Sequence, residues 1–129
     1  MIDYLVQFLV AFVVFMVIDL IWLGFIAKNL YKKELGHLRK EKINWTAAVV
    51  FYLMYIAGLV FFVINPALAG KGLGYAALGG ALFGLVAYAT YYLTNLATMK
   101  GFPSKIAVID LIWGTCVTCS TAVLSFLIL

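Results

Sequence analysis

The six residues VIDLIW occur twice in this 129-residue chain, at positions 17–22 and again at positions 108–113. Each copy places an aspartate, Asp19 or Asp110, within a run of Ile, Leu and Val, and a tryptophan three residues later. A carboxyl group in apolar surroundings is costly unless polar partners satisfy it. What these aspartates contact therefore depends on where the two copies lie in the folded chain.

The composition indicates which solvent surrounds the chain. Hydrophobic residues make up 67% and charged residues 11% of the sequence, and the mean hydropathy is +1.13. Soluble domains average about 45–50% apolar and about 25% charged residues, so this chain is predicted to be an all-α integral membrane protein. The net charge of +4 resides in connecting segments, which favours an anionic membrane surface over nucleic acid as the partner.

Four apolar segments are long enough to cross a bilayer, which takes about 20 residues. They cover residues 4–27, 45–64, 74–98 and 104–128 of a single domain, residues 1–129. The segments are separated by a basic stretch (28–44), a Gly-containing and Pro-containing stretch (65–74), and a short connection before Pro103. Short connections join antiparallel neighbours, so we predict an antiparallel four-helix transmembrane bundle.

Lysine and arginine concentrate on the cytoplasmic side of membrane proteins. Eight of the nine basic residues fall in the first loop or beside the third connection, and Lys71 is the exception. We therefore predict a cytoplasmic loop at 28–44 and two non-cytoplasmic termini. That loop either lies on anionic lipid headgroups or is a solvated loop whose charges only set the topology.

In this orientation both aspartates fall in the cytoplasmic half of the bilayer. At 1.5 Å per residue, Asp19 lies about 13 Å inward from Lys28, and Asp110 lies about 7–8 Å inward from Lys105. The tryptophans three residues later share a face with them. If the first and fourth helices pack together, the two VIDLIW copies contribute to one site, with Trp22 and Trp113 beside the carboxyls.

The other two helices carry polar groups at the same level. The second helix contributes Tyr52 and Tyr55. The third carries a stripe at steps of three or four residues, which consists of Gly80, Gly84, Tyr88, Tyr91, Asn95 and Thr98. Its glycines allow close approach of a neighbouring backbone, and a homodimer through Gly80 and Gly84 is one form of that contact.

Two interpretations of the aspartates remain open. Ionisable residues within spans usually face the bundle interior and mark functional sites, but inward polar residues also hold helices together. No histidine lies in a span and no nucleotide-binding loop is present, so we expect neither a cofactor nor a metal. The CVTC sequence lacks the context of a redox motif and is expected to serve packing.

The ordered segments DLIWLGFIAKNLYKKELGHL, FYLMYIAGLVFFVINPA, GLVAYATYYLTNLATMKGFP and IDLIWG resemble a bacterial membrane-protein family known as domain of unknown function 2177. The resemblance covers almost the whole chain and implies a bacterial cytoplasmic (inner) membrane location and a four-helix architecture. It adds Thr94 and Gly114 to the residues selected above. The family pattern has an acidic residue where this chain has Tyr92, so a site requiring three carboxyls would lack one here.

Three functions are compatible with these residues. The first is a transporter-like protein that binds a small polar or cationic amphiphile and exchanges it for a proton, through Asp19, Trp22, Tyr52, Tyr55, Tyr91, Thr94, Asn95, Asp110 and Trp113. The second is a lipid-modifying membrane enzyme, or its accessory subunit, with one of the aspartates as general base. The third is a non-catalytic membrane scaffold that binds another membrane protein through the glycine stripe.

Overall fold

The computed structural model describes residues 3–22, Gly24 and residues 45–129, and these residues are almost entirely helical. The main helices are α1 (Tyr4–Ile21), α2 (Trp45–Leu59), α3 (Gly72–Thr98) and α4 (Ser104–Ile128). The expected all-α membrane-protein class is therefore confirmed. The basic loop at 28–44 lies outside the described residues, and its contact with lipid stays a prediction.

Helix α1 begins with a side-chain cap and buries one narrow stripe. The Asp3 carboxylate accepts a hydrogen bond of 3.4 Å from the backbone N–H of Leu5, which satisfies one of the unpaired donors of the first turn. Every fourth residue from position 7 is buried, and this stripe consists of Gln7, Ala11, Phe15 and Asp19. Such spacing keeps one face of a helix against its neighbours, and here both ends of that face are polar.

Helix α2 continues well beyond Leu59. Two π-helical turns, Val60–Ile64 and Ala67–Lys71, extend it on either side of Asn65 and Pro66. The predicted break at 65–74 contains the reversal at Gly70 and Gly72, but the helical turns continue farther into it than expected, to Lys71. Proline lacks an N–H and clashes with the carbonyl four residues before it. Wider turns beside it relieve that clash, and a helix in a membrane tolerates proline for this reason.

The chain reverses at two glycines. Gly70 has φ 134° and Gly72 has φ 83°, values that residues with a Cβ rarely adopt. By length and hydropathy, three helical stretches among the described residues could cross a membrane, namely Tyr4–Ile21, Trp45–Thr98 and Ser104–Ile128. The middle stretch has 54 residues, more than twice the roughly 20 that one crossing needs.

The two arms of this middle stretch pack against each other in opposite directions. The Tyr75 hydroxyl donates a hydrogen bond of 3.0 Å to the carbonyl of Phe62. Farther from the reversal, the rings of Tyr55 and Phe83 lie 5.8 Å apart. This antiparallel contact accompanies the bend at Gly70 and Gly72. A total of four membrane crossings, with both termini on the non-cytoplasmic side, stays a prediction.

Helices α3 and α4 make the most extensive contact between described elements. A Cβ added to Gly80 would come within 2.9 Å of the Ala122 Cβ, and one added to Gly84 would overlap the Gly114 carbonyl and Thr118. The glycine stripe of α3 is therefore covered by α4 of the same chain. A homodimer stays a prediction, and it would need a surface other than Gly80 and Gly84.

The distribution of polarity is that of a protein surrounded by lipid. Leu78 and Met54 are 77% and 69% exposed, whereas Thr118, Thr121 and Ser125 on α4 are fully buried. Apolar side chains thus cover the outside, and small hydroxyl side chains occupy much of the inside. Between membrane helices, close packing and interhelical hydrogen bonds replace the hydrophobic effect as the force of association.

The glycine contact between α3 and α4 can be tested by adding one methyl group. We expect Gly84→Ala to destabilise the purified protein by about 1–3 kcal/mol, because the Cβ overlaps backbone that has no room to move. The measurement is thermal unfolding in a mild detergent. Gly74→Ala on the same helix is the matched control, since no atom lies within 4 Å of its added Cβ. Equal melting temperatures for the two variants would contradict this packing.

Candidate functional site

Asp19 lies at the junction of three helices. It is buried near the end of α1, and its carboxyl group lies close to the side chains of Trp113 on α4 and Tyr52 on α2. It also interacts electrostatically with Asp110. The acidic side chains of the two VIDLIW copies, 91 positions apart in the sequence, are therefore buried in the same part of the bundle.

Asp110 is held by a tyrosine of the third helix. It is 2% exposed, and its Oδ2 accepts a hydrogen bond from the Tyr92 hydroxyl. Tyr92 is itself buried, packed with Phe102 and Ile106 in a second apolar cluster. The phenol gives the buried carboxyl a hydrogen-bond donor.

The two tryptophans of the repeat stack on each other. The rings of Trp22 and Trp113 have centroids 4.3 Å apart and planes within 9°. Both side chains are half-buried, so the stack lies at the border of the site. Trp45 is exposed at the start of α2.

An aromatic wall continues from the carboxyls into the core. The Phe15 ring lies 5.9 Å from the Tyr52 ring and 5.0 Å from the Tyr55 ring. The Tyr55 hydroxyl is hydrogen-bonded to the Thr118 hydroxyl of α4. Tyr52 therefore faces Asp19, and Tyr55 lies one turn deeper, where the hydroxyl side chains of α4 begin.

The structure brings together six of the nine residues proposed for the site. Asp19, Trp22, Tyr52, Tyr55 and Trp113 are connected by the contacts above, and Asp110 is buried near enough to Asp19 for their charges to interact. Tyr91 and Thr94 are exposed, and Asn95, half-buried, accepts the Met99 backbone N–H with its own carbonyl. The buried face of α3 follows steps of four, through Ala76, Gly80, Gly84 and Tyr92, so the side chain that reaches the carboxyl comes from Tyr92 and not from its neighbour Tyr91.

A second polar cluster lies at the other end of α1 and was not anticipated from the sequence. The Gln7 side-chain amide donates a hydrogen bond of 2.9 Å to the Asn65 Oδ1, and the Asn65 amide donates one of 2.9 Å to the Tyr4 hydroxyl. We call this the glutamine end, and the surroundings of Asp19 and Asp110 the aspartate end. The signal in the sequence was the spacing of Gln7 from Asp19 in steps of four.

The remaining chemical candidates contribute little to the aspartate end. Cys116 is exposed and Cys119 half-buried, and both are free thiols. Within residues 3–22 and 45–129, no group of three or more His, Cys, Asp or Glu side chains is placed to hold a metal ion. The chemistry of the site is therefore that of two carboxyls with phenol and indole donors.

A chain whose described residues are almost all helical, with an apolar exterior and buried carboxyls, is an α-helical membrane protein by class. The model of the family DUF2177, described as a predicted membrane protein, matches residues 4–127. The chain belongs to this family, as the resemblance of its motifs predicted. Neither the curated proteins nor the solved structures contain a match to it.

The hydrogen bond between Tyr92 and Asp110 yields a testable prediction. Tyr92→Phe removes the donor and is expected to destabilise the protein by about 1–3 kcal/mol, because it withdraws a partner from a buried carboxyl. The adjacent Tyr91→Phe, at an exposed position, is the control and should leave the melting temperature nearly unchanged. In an Asp110→Asn background the Tyr92→Phe effect should shrink. An undiminished effect in that background would exclude the proposed bond as its cause.

Proposed function

We propose that the aspartate end binds the cationic group of a small amphiphile and that the protein exchanges this cation for a proton across the membrane. The observation that carries the proposal is the burial of Asp19 and Asp110 in the same part of the interior, each beside aromatic side chains. Carboxyls within membrane helices commonly serve ion and substrate pathways. The phenol and indole groups orient the carboxyls without neutralising them.

The surroundings of the carboxyls favour a cation over an anion. Helix α1 contains no Lys or Arg, and neither does α3. The aromatic rings of Tyr52, Trp22 and Trp113 border the same region, and ring faces attract cations. An amphiphile would place its charged group at the carboxyls and its apolar part against the aromatic wall or the lipid.

Proton exchange follows from having two acidic groups at one place. A single cation needs one negative carboxylate, and the second carboxyl can keep or release a proton as the cation arrives or leaves. Two carboxylates in one poorly hydrated site titrate as a coupled pair. Binding of a cation and binding of a proton then compete for the same charge, which is the condition for exchange.

The location and orientation belong to the same proposal. We place the protein in a bacterial cytoplasmic membrane, with the aspartate end toward the cytoplasm. The concentration of Lys and Arg in the 28–44 stretch, with Lys100 and Lys105, supports this direction by the positive-inside rule. Anionic lipids would then lie beside the basic stretch.

Tryptophan fluorescence offers a direct binding test. Trp45→Phe leaves Trp22 and Trp113 as the remaining two of three tryptophans, so emission reports the aspartate end alone. In nanodiscs, tetraphenylphosphonium should change this emission saturably, whereas tetraphenylborate, an anion of the same shape, should not. Asp19→Asn and Asp110→Asn should each lower the affinity for the cation about tenfold or more, as expected for loss of one charge-assisted contact.

The control for these variants is Asp3, a carboxyl at the opposite end of α1 from Asp19. Asp3→Asn removes a charge but keeps a side chain that caps helices equally well, so it should bind the cation as the parent does. Identical titrations with the cation and the anion, or with the parent and both buried-carboxyl variants, would overturn the proposed function. Proteoliposomes with a pH-sensitive dye then test whether cation entry releases protons.

A further inference from the structure

The buried polar side chains of α4 connect the two ends of the bundle. Asp110, Thr118, Thr121 and Ser125 are all buried, and their spacing in steps of three or four, with Gly114 between the first two, keeps them on one face of the helix. From Asp110 to Ser125 the helix rises about 22 Å, which is most of the roughly 30 Å of a bilayer's hydrocarbon core.

The register of α1 against α4 places the far end of this face at the glutamine end. The two helices are antiparallel, and the Asp19 carboxyl lies beside the Trp113 side chain. Twelve residues back along α1 lies Gln7, and twelve residues forward along α4 lies Ser125. Both side chains are buried, and they therefore lie at the same level of the bundle.

The hydroxyls of this face retain hydrogen-bonding capacity. Thr121 donates to the Val117 carbonyl, which leaves its oxygen free to accept. The Ser125 Oγ is fully buried and makes no hydrogen bond to any residue in the described ranges. Leaving a buried hydroxyl unsatisfied costs about 1–3 kcal/mol, and a water molecule at a polar site removes that cost.

We propose that this face of α4, which we call the hydroxyl face (Thr118, Thr121 and Ser125), lines a hydrated passage that carries protons between the aspartate end and the glutamine end. A proton released by a carboxyl passes to a water or hydroxyl oxygen, which releases another proton to the next oxygen in line. No bond other than O–H bonds forms or breaks. The proposal rests on the proposed function only in that the aspartate end supplies or receives the proton.

Hydration of the passage can be measured without any transported substrate. In a cysteine-free parent (Cys116→Ala and Cys119→Ala) reconstituted into liposomes, we would introduce Thr121→Cys or Ser125→Cys. Small, membrane-impermeant methanethiosulfonate reagents react with thiolates, which form only where water reaches. Both cysteines should be labelled at least about tenfold faster than cysteines at the same depth that face lipid.

The chain provides such controls at adjacent positions. Ser120 and Leu124 are exposed on the outside of α4, so Ser120→Cys and Leu124→Cys match Thr121→Cys and Ser125→Cys in depth but face lipid. Labelling of the hydroxyl-face cysteines at the rate of these controls would show that the hydroxyls only pack the helices, and it would overturn the passage. The result would leave cation binding at the aspartate end untouched.

Proton movement is tested with a pair of equivalent threonines. Thr121 and Thr90 both donate to the carbonyl four residues earlier, but Thr121 is buried on the hydroxyl face and Thr90 is exposed on α3. Under an imposed membrane potential, Thr121→Val should lower proton flux into dye-loaded liposomes severalfold, and Thr90→Val should not. Equal flux in both variants would overturn proton conduction through this face even if its cysteines are labelled.

Discussion

Two carboxyl groups have to be removed from lipid, and this requirement determines how the helices meet. The Asp19 carboxyl lies beside side chains of two other helices, Trp113 of α4 and Tyr52 of α2. Asp110 accepts a hydrogen bond from the Tyr92 hydroxyl of α3. A charged or strongly polar group facing hydrocarbon is expensive, so alternative rotations of α1 or α4 that exposed these carboxyls would be disfavoured. These contacts thus fix the rotation of the helices, and apolar packing of Phe15 against Tyr55 follows from it.

The close contact of α3 with α4 makes this arrangement geometrically possible. Gly80 and Gly84 let the backbone of α4 approach, and Gly114 gives the Tyr88 ring a flat surface in return. With larger residues at these positions the helices would stand farther apart, and the Tyr92 hydroxyl would no longer reach Asp110. The polar residues at the two ends of the bundle therefore depend on the small residues in its middle. The small residues determine how closely the helices pack, and this distance decides whether the polar side chains can form hydrogen bonds.

The sequence indicated that the two VIDLIW copies would lie near each other, but it did not indicate every side chain that surrounds them. The repeated VIDLIW carries both the acidic and the aromatic residue, so pairing of α1 with α4 brings all four side chains together. Tyr92 was missed in favour of Tyr91, because a shift of one residue turns a side chain by 100° and the tertiary contact decides which one faces inward. Gln7 and Asn65 were missed because each is a single amide in an apolar run, and the spacing of Gln7 from Asp19 does not show that Asn65 lies opposite it. Pro66 suggested the end of a helix, yet membrane helices accommodate proline by widening a turn.

Structural and binding roles of the carboxyls are not exclusive, because a carboxylate has more acceptor sites than its donors use. An ionised carboxyl accepts about four hydrogen bonds, and the polar groups beside the Asp19 carboxyl are the indole of Trp113 and the phenol of Tyr52. These donors keep the side chain oriented while leaving lone pairs for a proton or a cation. A protonated carboxyl can retain both contacts through its remaining lone pairs, so the helices stay in register while the charge changes. The proposed exchange of a cation for a proton would therefore leave the contacts that hold the bundle together in place.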